Sequence, residues 1–90
     1  MTRAERIRSC LAVFEPLALD VSDESAKHAG HAGASPSGET HYNVRIVSQQ
    51  FAGLSRVDRQ RRVLAALDGE FRAGLHALSL KALTPSEASS

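Results

Sequence analysis

Apolar residues near the start of the chain recur at helical spacing: Ala4, Ile7, Leu11 and Phe14, with Pro16 closing the run. Thr2 and Glu5 stand three apart at its front, a hydroxyl at the N-cap and a carboxylate that can reach back to it. The period then changes from helical to two. Leu17, Leu19 and Val21 alternate with Ala18, Asp20 and Ser22, which predicts a half-buried strand. A second strand is predicted where Tyr42, Val44 and Ile46 alternate with Asn43, Arg45 and Val47. Between the two lies DESAKHAGHAGASPSGET, residues 23–40, which has no period; a loop this long is usually functional or disordered. After the turn at Gly53, Ser55 is a good N-cap and Asp58 suits a first turn, so a second helix should run to about Phe71. Its apolar arc is Val57, Leu64, Leu67 and Phe71, with Val63 at the edge, and Gly74 marks its stop. His76, Leu78 and Leu80 alternate with Ala77, Ser79 and Lys81 in a third strand, and TPSEASS follows as a polar tail expected to fray.

The order α-β-β-α-β predicts an α/β fold of the α+β kind, a three-stranded mixed sheet with both helices on one face. The second strand, second helix and third strand form a βαβ unit, so those strands should be parallel with a right-handed crossover. The first two strands should be antiparallel. Ninety residues suffice for one core, so a single domain is expected over residues 1–85, with 86–90 as a disordered tail. The chain is 42% hydrophobic but 4% aromatic, which makes that core thin and aliphatic.

This topology gathers the histidines. The second strand starts at His41 and the third at His76, and parallel strands start at the same end of a sheet. The first strand runs the other way, so it enters the 23–40 loop at that same end, and the loop carries His28 and His31. Imidazole is the commonest metal ligand, and four near one point allow a metal site. The residues equally allow a capping His41, a half-buried His76 and two solvated loop histidines. A net charge of +1 argues against a strong overall pull towards nucleic acid or membrane. One cysteine, Cys10, makes no internal disulfide, reads as a small core thiol and suggests a cytoplasmic protein. No apolar run approaches the roughly 20 residues of a membrane span, and MTRAERIR does not read as a secretory signal. The chain shows no paired carboxylates, no nucleophile with an evident base and no Gly-rich phosphate loop, so no enzymatic activity is expected.

Three blocks carry a resemblance: DESAKHAGHAG with GETHY at the ends of the long loop, VRIVSQQFAGLSRVDRQRRV, and HALSLKALTP. In this order and spacing they resemble the BolA family over about residues 3–85. The resemblance implies an αββαβ fold like a class II KH domain and a non-enzymatic adaptor. It implies a heterocomplex with a monothiol glutaredoxin, in which a [2Fe–2S] cluster is shared with the glutaredoxin cysteine and glutathione, serving iron–sulfur cluster trafficking or iron homeostasis. Carried over, the iron ligands are His76 and a loop histidine, His28, with His31 as the alternative, while His41 stays structural. Two imidazoles on one iron is the Rieske pattern, and since imidazole binds deprotonated, the complex should weaken as pH falls.

The competing function is a DNA-binding transcription regulator, which the family resemblance also suggests, using Arg56, Arg59, Arg61 and Arg62 of the second helix. These do not form one stripe, and Asp58 can pair with Arg62. Gln60 stands where the family usually has histidine, and it falls within the apolar arc. RNA reading is disfavoured, because GLSR at residues 53–56 lacks the second glycine of a KH loop. The sequence leaves open whether the free chain forms a homodimer.

Overall fold

The computed structural model describes residues 2–24 and 41–89. Its elements are α1 (Arg3–Leu11), β1 (Ala18–Asp23), β2 (His41–Val47), α2 (Arg56–Ala66), α3 (Asp68–Arg72), β3 (Ala77–Leu83) and α4 (Pro85–Ala88), with 3-10 turns at Ala12–Phe14 and Gln49–Phe51. Most of the 23–40 segment, with His28 and His31, lies outside the described residues.

The sheet is mixed and ordered β1-β2-β3. Strand β1 runs antiparallel to β2, pairing Ala18 with Val47 and Asp23 with Tyr42. Strand β3 runs parallel to β2, pairing His41 with Ala77 and Val47 with Leu83. Alternation along β2 decides the layers. Tyr42, Val44 and Ile46 are buried against Ile7 and Leu11 of α1, Val63 of α2, Leu67 and Leu75. Asn43 on the other face is exposed. Both long helices therefore cover one face. Phe14 and Phe51 close the far end of the core with ring centroids 5.4 Å apart. There the buried Ser48 hydroxyl donates to Phe14 O at 2.6 Å.

The capping box of α1 forms as its sequence suggests: Thr2 accepts from the Glu5 amide, and the Glu5 carboxylate accepts from the Thr2 amide. Three expectations are corrected. The second helix breaks in two at Leu67, whose backbone (φ −99°, ψ 7°) caps α2 and starts α3. The buried face of α2 also differs: Val57 is 56% exposed, Val63 is fully buried rather than at an edge, and Gln60 is exposed rather than in the arc. Leu17 precedes β1 and is 65% exposed. The polar tail is a short helix instead, with a second capping box in which Thr84 accepts from the Glu87 amide and Glu87 accepts from the Thr84 amide.

The helical layer is tied together by charge. Glu70 of α3, with a side chain 10% exposed, accepts from Arg3 Nε at 3.2 Å and from Arg6 Nε at 3.0 Å. Arg3 also donates to Ala73 O at 2.9 Å. Burial pushes the Glu70 carboxyl up, but the hydrogen bonds and charges of Arg6 and Arg3 together outweigh it and hold the group below 4.5. A depressed folded-state value means that its stabilisation is present above pH 4.5 and is lost as pH falls through the lowered value.

Two measurements check this packing. In urea unfolding at pH 7, Val63→Ala should cost roughly 2 kcal/mol and Val57→Ala less than about 0.5 kcal/mol; equal costs would contradict this buried face of α2. Glu70→Gln leaves a buried guanidinium without its counter-ion and should cost roughly 3 kcal/mol at pH 7. Its deficit against the parent should shrink as pH drops below the ordinary carboxylate range, and a constant deficit would deny the Glu70 carboxylate this role.

Candidate metal-binding end of the sheet

The parallel pairing of β2 and β3 sets their first residues side by side, and the histidines follow. The His41 and His76 rings lie with centroids 6.1 Å apart and planes 25° apart. His41 is half-buried and His76 is exposed.

Local causes place His76. The chain leaves α3 through Gly74, whose φ of +121° is a conformation that a side chain resists. A Cβ at Gly74 would also stand 3.4 Å from the Arg3 guanidinium. Next, Leu75 is driven into the core at 4% exposure, and its amide donates to Glu70 O at 2.9 Å. With Leu75 anchored and Ala77 in the sheet, the backbone at His76 is held from both sides. His41 is held by the ladder end, where the Glu24 amide donates to His41 O at 2.7 Å. The same bond fixes both ends of the segment that contains His28 and His31. Glu24 and His41, which flank that segment, are thus joined to each other beside the ring pair.

Among the described residues no group of three or more His, Cys, Asp or Glu side chains converges on a point. Among the described residues the donors at this end are the two imidazoles of His41 and His76, which leave the remaining positions of a four-coordinate ion to other ligands. Cys10 packs half-buried against the core on α1, as expected of a small core thiol.

The arginines proposed for nucleic acid scatter. Arg59 is 7% exposed and spoken for: it donates to Leu54 O at 3.1 Å, to Ala82 O at 3.2 Å and to the Glu87 carboxylate. It is thus no part of a solvated helix face. Arg61 faces solvent 3.9 Å from Asp58, so the acid's partner is Arg61 and not Arg62. Arg56 and Arg62 are exposed. Arg56 lines a groove of about 220 Å³ with Gln60, Leu80, Lys81, Ala82 and Leu83, where β3 ends. Among the described residues neither Arg56 nor Lys81 has an ion-pair partner. This groove lies at the opposite end of the sheet from the histidines.

The BolA-like protein family profile matches residues 11–87. The chain belongs to the BolA-like family. A relative named SufE-like protein 1, chloroplastic/mitochondrial, from Arabidopsis thaliana is 47% identical over 96% of this chain and 24% of its own length. Protein BOLA1, chloroplastic, from the same plant is 47% identical over 98% of this chain and 57% of its own. The chain thus spans about a quarter and rather more than half of these two relatives. The solved BolA domain of SufE1 from Arabidopsis thaliana matches with a TM-score of 0.85 and 46% identity, over 97% of this chain and 96% of that one. The mixed three-stranded sheet is accordingly a BolA fold. The relatives' names point to organelles, where the lone cysteine had suggested the cytoplasm. No helix among the described residues is long and apolar enough to cross a membrane.

No local pattern signals the Arg59–Glu87 pair, whose members stand 28 residues apart. The Arg59 hydrogen bond and the Thr84 amide hold the Glu87 carboxyl down to about 2. Being depressed, it stays ionised and paired at neutral pH, and the latch is lost as pH falls from 4.5 towards 2. Amide exchange at residues 85–89 should be slowed at pH 7 and accelerate in Arg59→Ala. Exchange indistinguishable between Arg59→Ala and the parent would mean that the pair does not hold α4.

Proposed function

We propose that this chain is a non-enzymatic adaptor that pairs with a monothiol glutaredoxin and contributes His76, with His28 or alternatively His31, to a shared [2Fe–2S] cluster in iron–sulfur trafficking or iron homeostasis. The observation that carries the reading is the exposed His76 imidazole, held on a braced backbone at the end of the sheet where Glu24 and His41, which flank the His28 and His31 segment, are joined. A solvent-facing ligand on a fixed backbone suits a metal group approached by a second protein. Two imidazoles from this chain would leave the partner's cysteine and glutathione to supply the thiolates of the cluster. Bound there, two imidazoles in place of thiolates would raise the reduction potential of the cluster relative to an all-thiolate one. The chain's own part is to present neutral imidazole nitrogen at a fixed place. His28 and His31 lie outside the described residues, so His76 carries the geometric support.

The second reading, a DNA-binding regulator, draws on the groove that Arg56 and Lys81 flank. It loses Arg59 to the Glu87 pair, and two cations with a net charge of +1 make a weak phosphate surface.

Anaerobic reconstitution with a monothiol glutaredoxin, glutathione, iron and sulfide, followed by visible circular dichroism and size exclusion, tests the adaptor reading. A 1:1 complex is expected, with a spectrum distinct from the glutaredoxin homodimer. His76→Ala should abolish that spectrum and Arg56→Ala with Arg62→Ala should leave it unchanged. A well-folded chain that fails to pair, or a His76→Ala complex with an unaltered spectrum, would refute it.

A further inference from the structure

The proposed adaptor role uses His76 and leaves His41 without a task, yet His41 is the imidazole that the fold brings to His76. We propose that His41 and His76 form a preorganised two-imidazole chelate that binds one borderline divalent transition-metal ion, such as Cu²⁺, Ni²⁺ or Zn²⁺, in the free chain without any partner protein.

Spacing is the first support. With metal–nitrogen bonds of about 2.0–2.1 Å and roughly 1.2 Å more to each ring centre, two imidazoles on one ion have centroids about 4.5 Å apart at a right angle, about 5.3 Å at the tetrahedral angle and about 6.5 Å when opposed. The observed 6.1 Å lies between the tetrahedral and the opposed spacing, so the rings have to approach by roughly 1 Å and turn out of their near-parallel planes to share a tetrahedral ion.

Preorganisation is the second. His41 opens β2, fixed by the Glu24 amide at 2.7 Å, and pairs in register with Ala77, the neighbour of His76. His76 is pinned between buried Leu75 and strand residue Ala77. Neither backbone has to be ordered when an ion binds, so little conformational entropy is lost.

Chemistry is the third. Imidazole suits copper, nickel and zinc, and ligation uses one ring nitrogen while the other commonly donates to the protein. Exposure of His76 gives an ion an entry path, and with two protein ligands the rest of its coordination sphere stays open to water or another ligand. The chelate needs no thiolate, no glutaredoxin and neither His28 nor His31.

The deciding variant is His28→Ala with His31→Ala, which leaves His41 and His76 as the only imidazoles in the chain. Titrated with Cu²⁺ near pH 7.5, it should bind one ion and show an electron paramagnetic resonance spectrum with coupling to two imidazole nitrogens. Adding His76→Ala or His41→Ala should leave one imidazole coupled and weaken binding on the order of tenfold or more, because the second ligand's effective concentration is lost. His41→Gln keeps a polar side chain at that half-buried place and serves if the alanine variant unfolds. A single coupled imidazole in the His28/His31 variant, or affinity unchanged on replacing His41, would overturn the chelate. The assay contains no glutaredoxin, so its failure and the failure of the adaptor reading are separate results.

Discussion

The cluster of Arg3, Arg6 and Glu70 is the constraint on which the functional end depends. Its carboxylate comes from a five-residue helix and its guanidinium groups from α1, at the other end of the sequence. A helix of five residues has no stability of its own in water. It is held because Glu70 is fastened to α1 and because Leu67 and Leu75 on either side are buried. Arg3 adds a bond to Ala73 O and crowds Gly74, so the same guanidinium that neutralises Glu70 also shapes the turn into β3. The residue delivered by that turn is His76. The histidine end of the sheet thus rests on the ion cluster of Arg3, Arg6 and Glu70. Its geometry is retained against the desolvation cost because each charge has a partner and Arg3 Nη2 donates to Ala73 O.

At the opposite end a second pair does similar work with a different consequence. Arg59 spans from α2 to the carbonyl of Ala82 and to Glu87, closing the end of β3 and docking α4. Of the four arginines of α2 it is the only buried one, so it serves structure where its neighbours face water. The sheet keeps the two ends apart. Changes at Arg56 or Lys81 and changes at His41 or His76 act on separate surfaces.

The elements and their directions were legible in the sequence because they follow from period alone. Alternation at Tyr42, Val44 and Ile46 fixes the buried face of β2, and the βαβ crossover makes β2 and β3 parallel, which brings His41 and His76 to one end. The capping box at Thr2 and Glu5 is likewise local chemistry. What period does not reveal is where a helix breaks. The wheel that put Val57 on the apolar arc treats residues 55–71 as one rod, whereas the helix breaks at Leu67 and the face of α2 that packs on the core carries Val63. Long-range charge pairs were equally invisible: nothing near Glu70 in sequence points to Arg3, and nothing near Glu87 points to Arg59. The polar tail looked frayed because its composition is polar, although Thr84, Pro85 and Glu87 hold a helix start of the same design as Thr2 and Glu5.

The ring pair also revises how His41 should be weighed. A histidine at the start of a strand is ordinarily explained by packing, and considered alone that account is sufficient. Placed 6.1 Å from an exposed imidazole, the same residue becomes half of a bidentate set. Packing and ligation are compatible here, because an imidazole has two nitrogens and a half-buried ring is better oriented than a solvated one. A ligand restrained on the sheet differs physically from one contributed by the segment between Glu24 and His41. The first is already held by the strand ladder and loses little freedom on binding an ion. If His76 serves both, the choice of its companion, His41 or a histidine of that segment, decides whether the metal is held by two residues at the end of the sheet or by one of them.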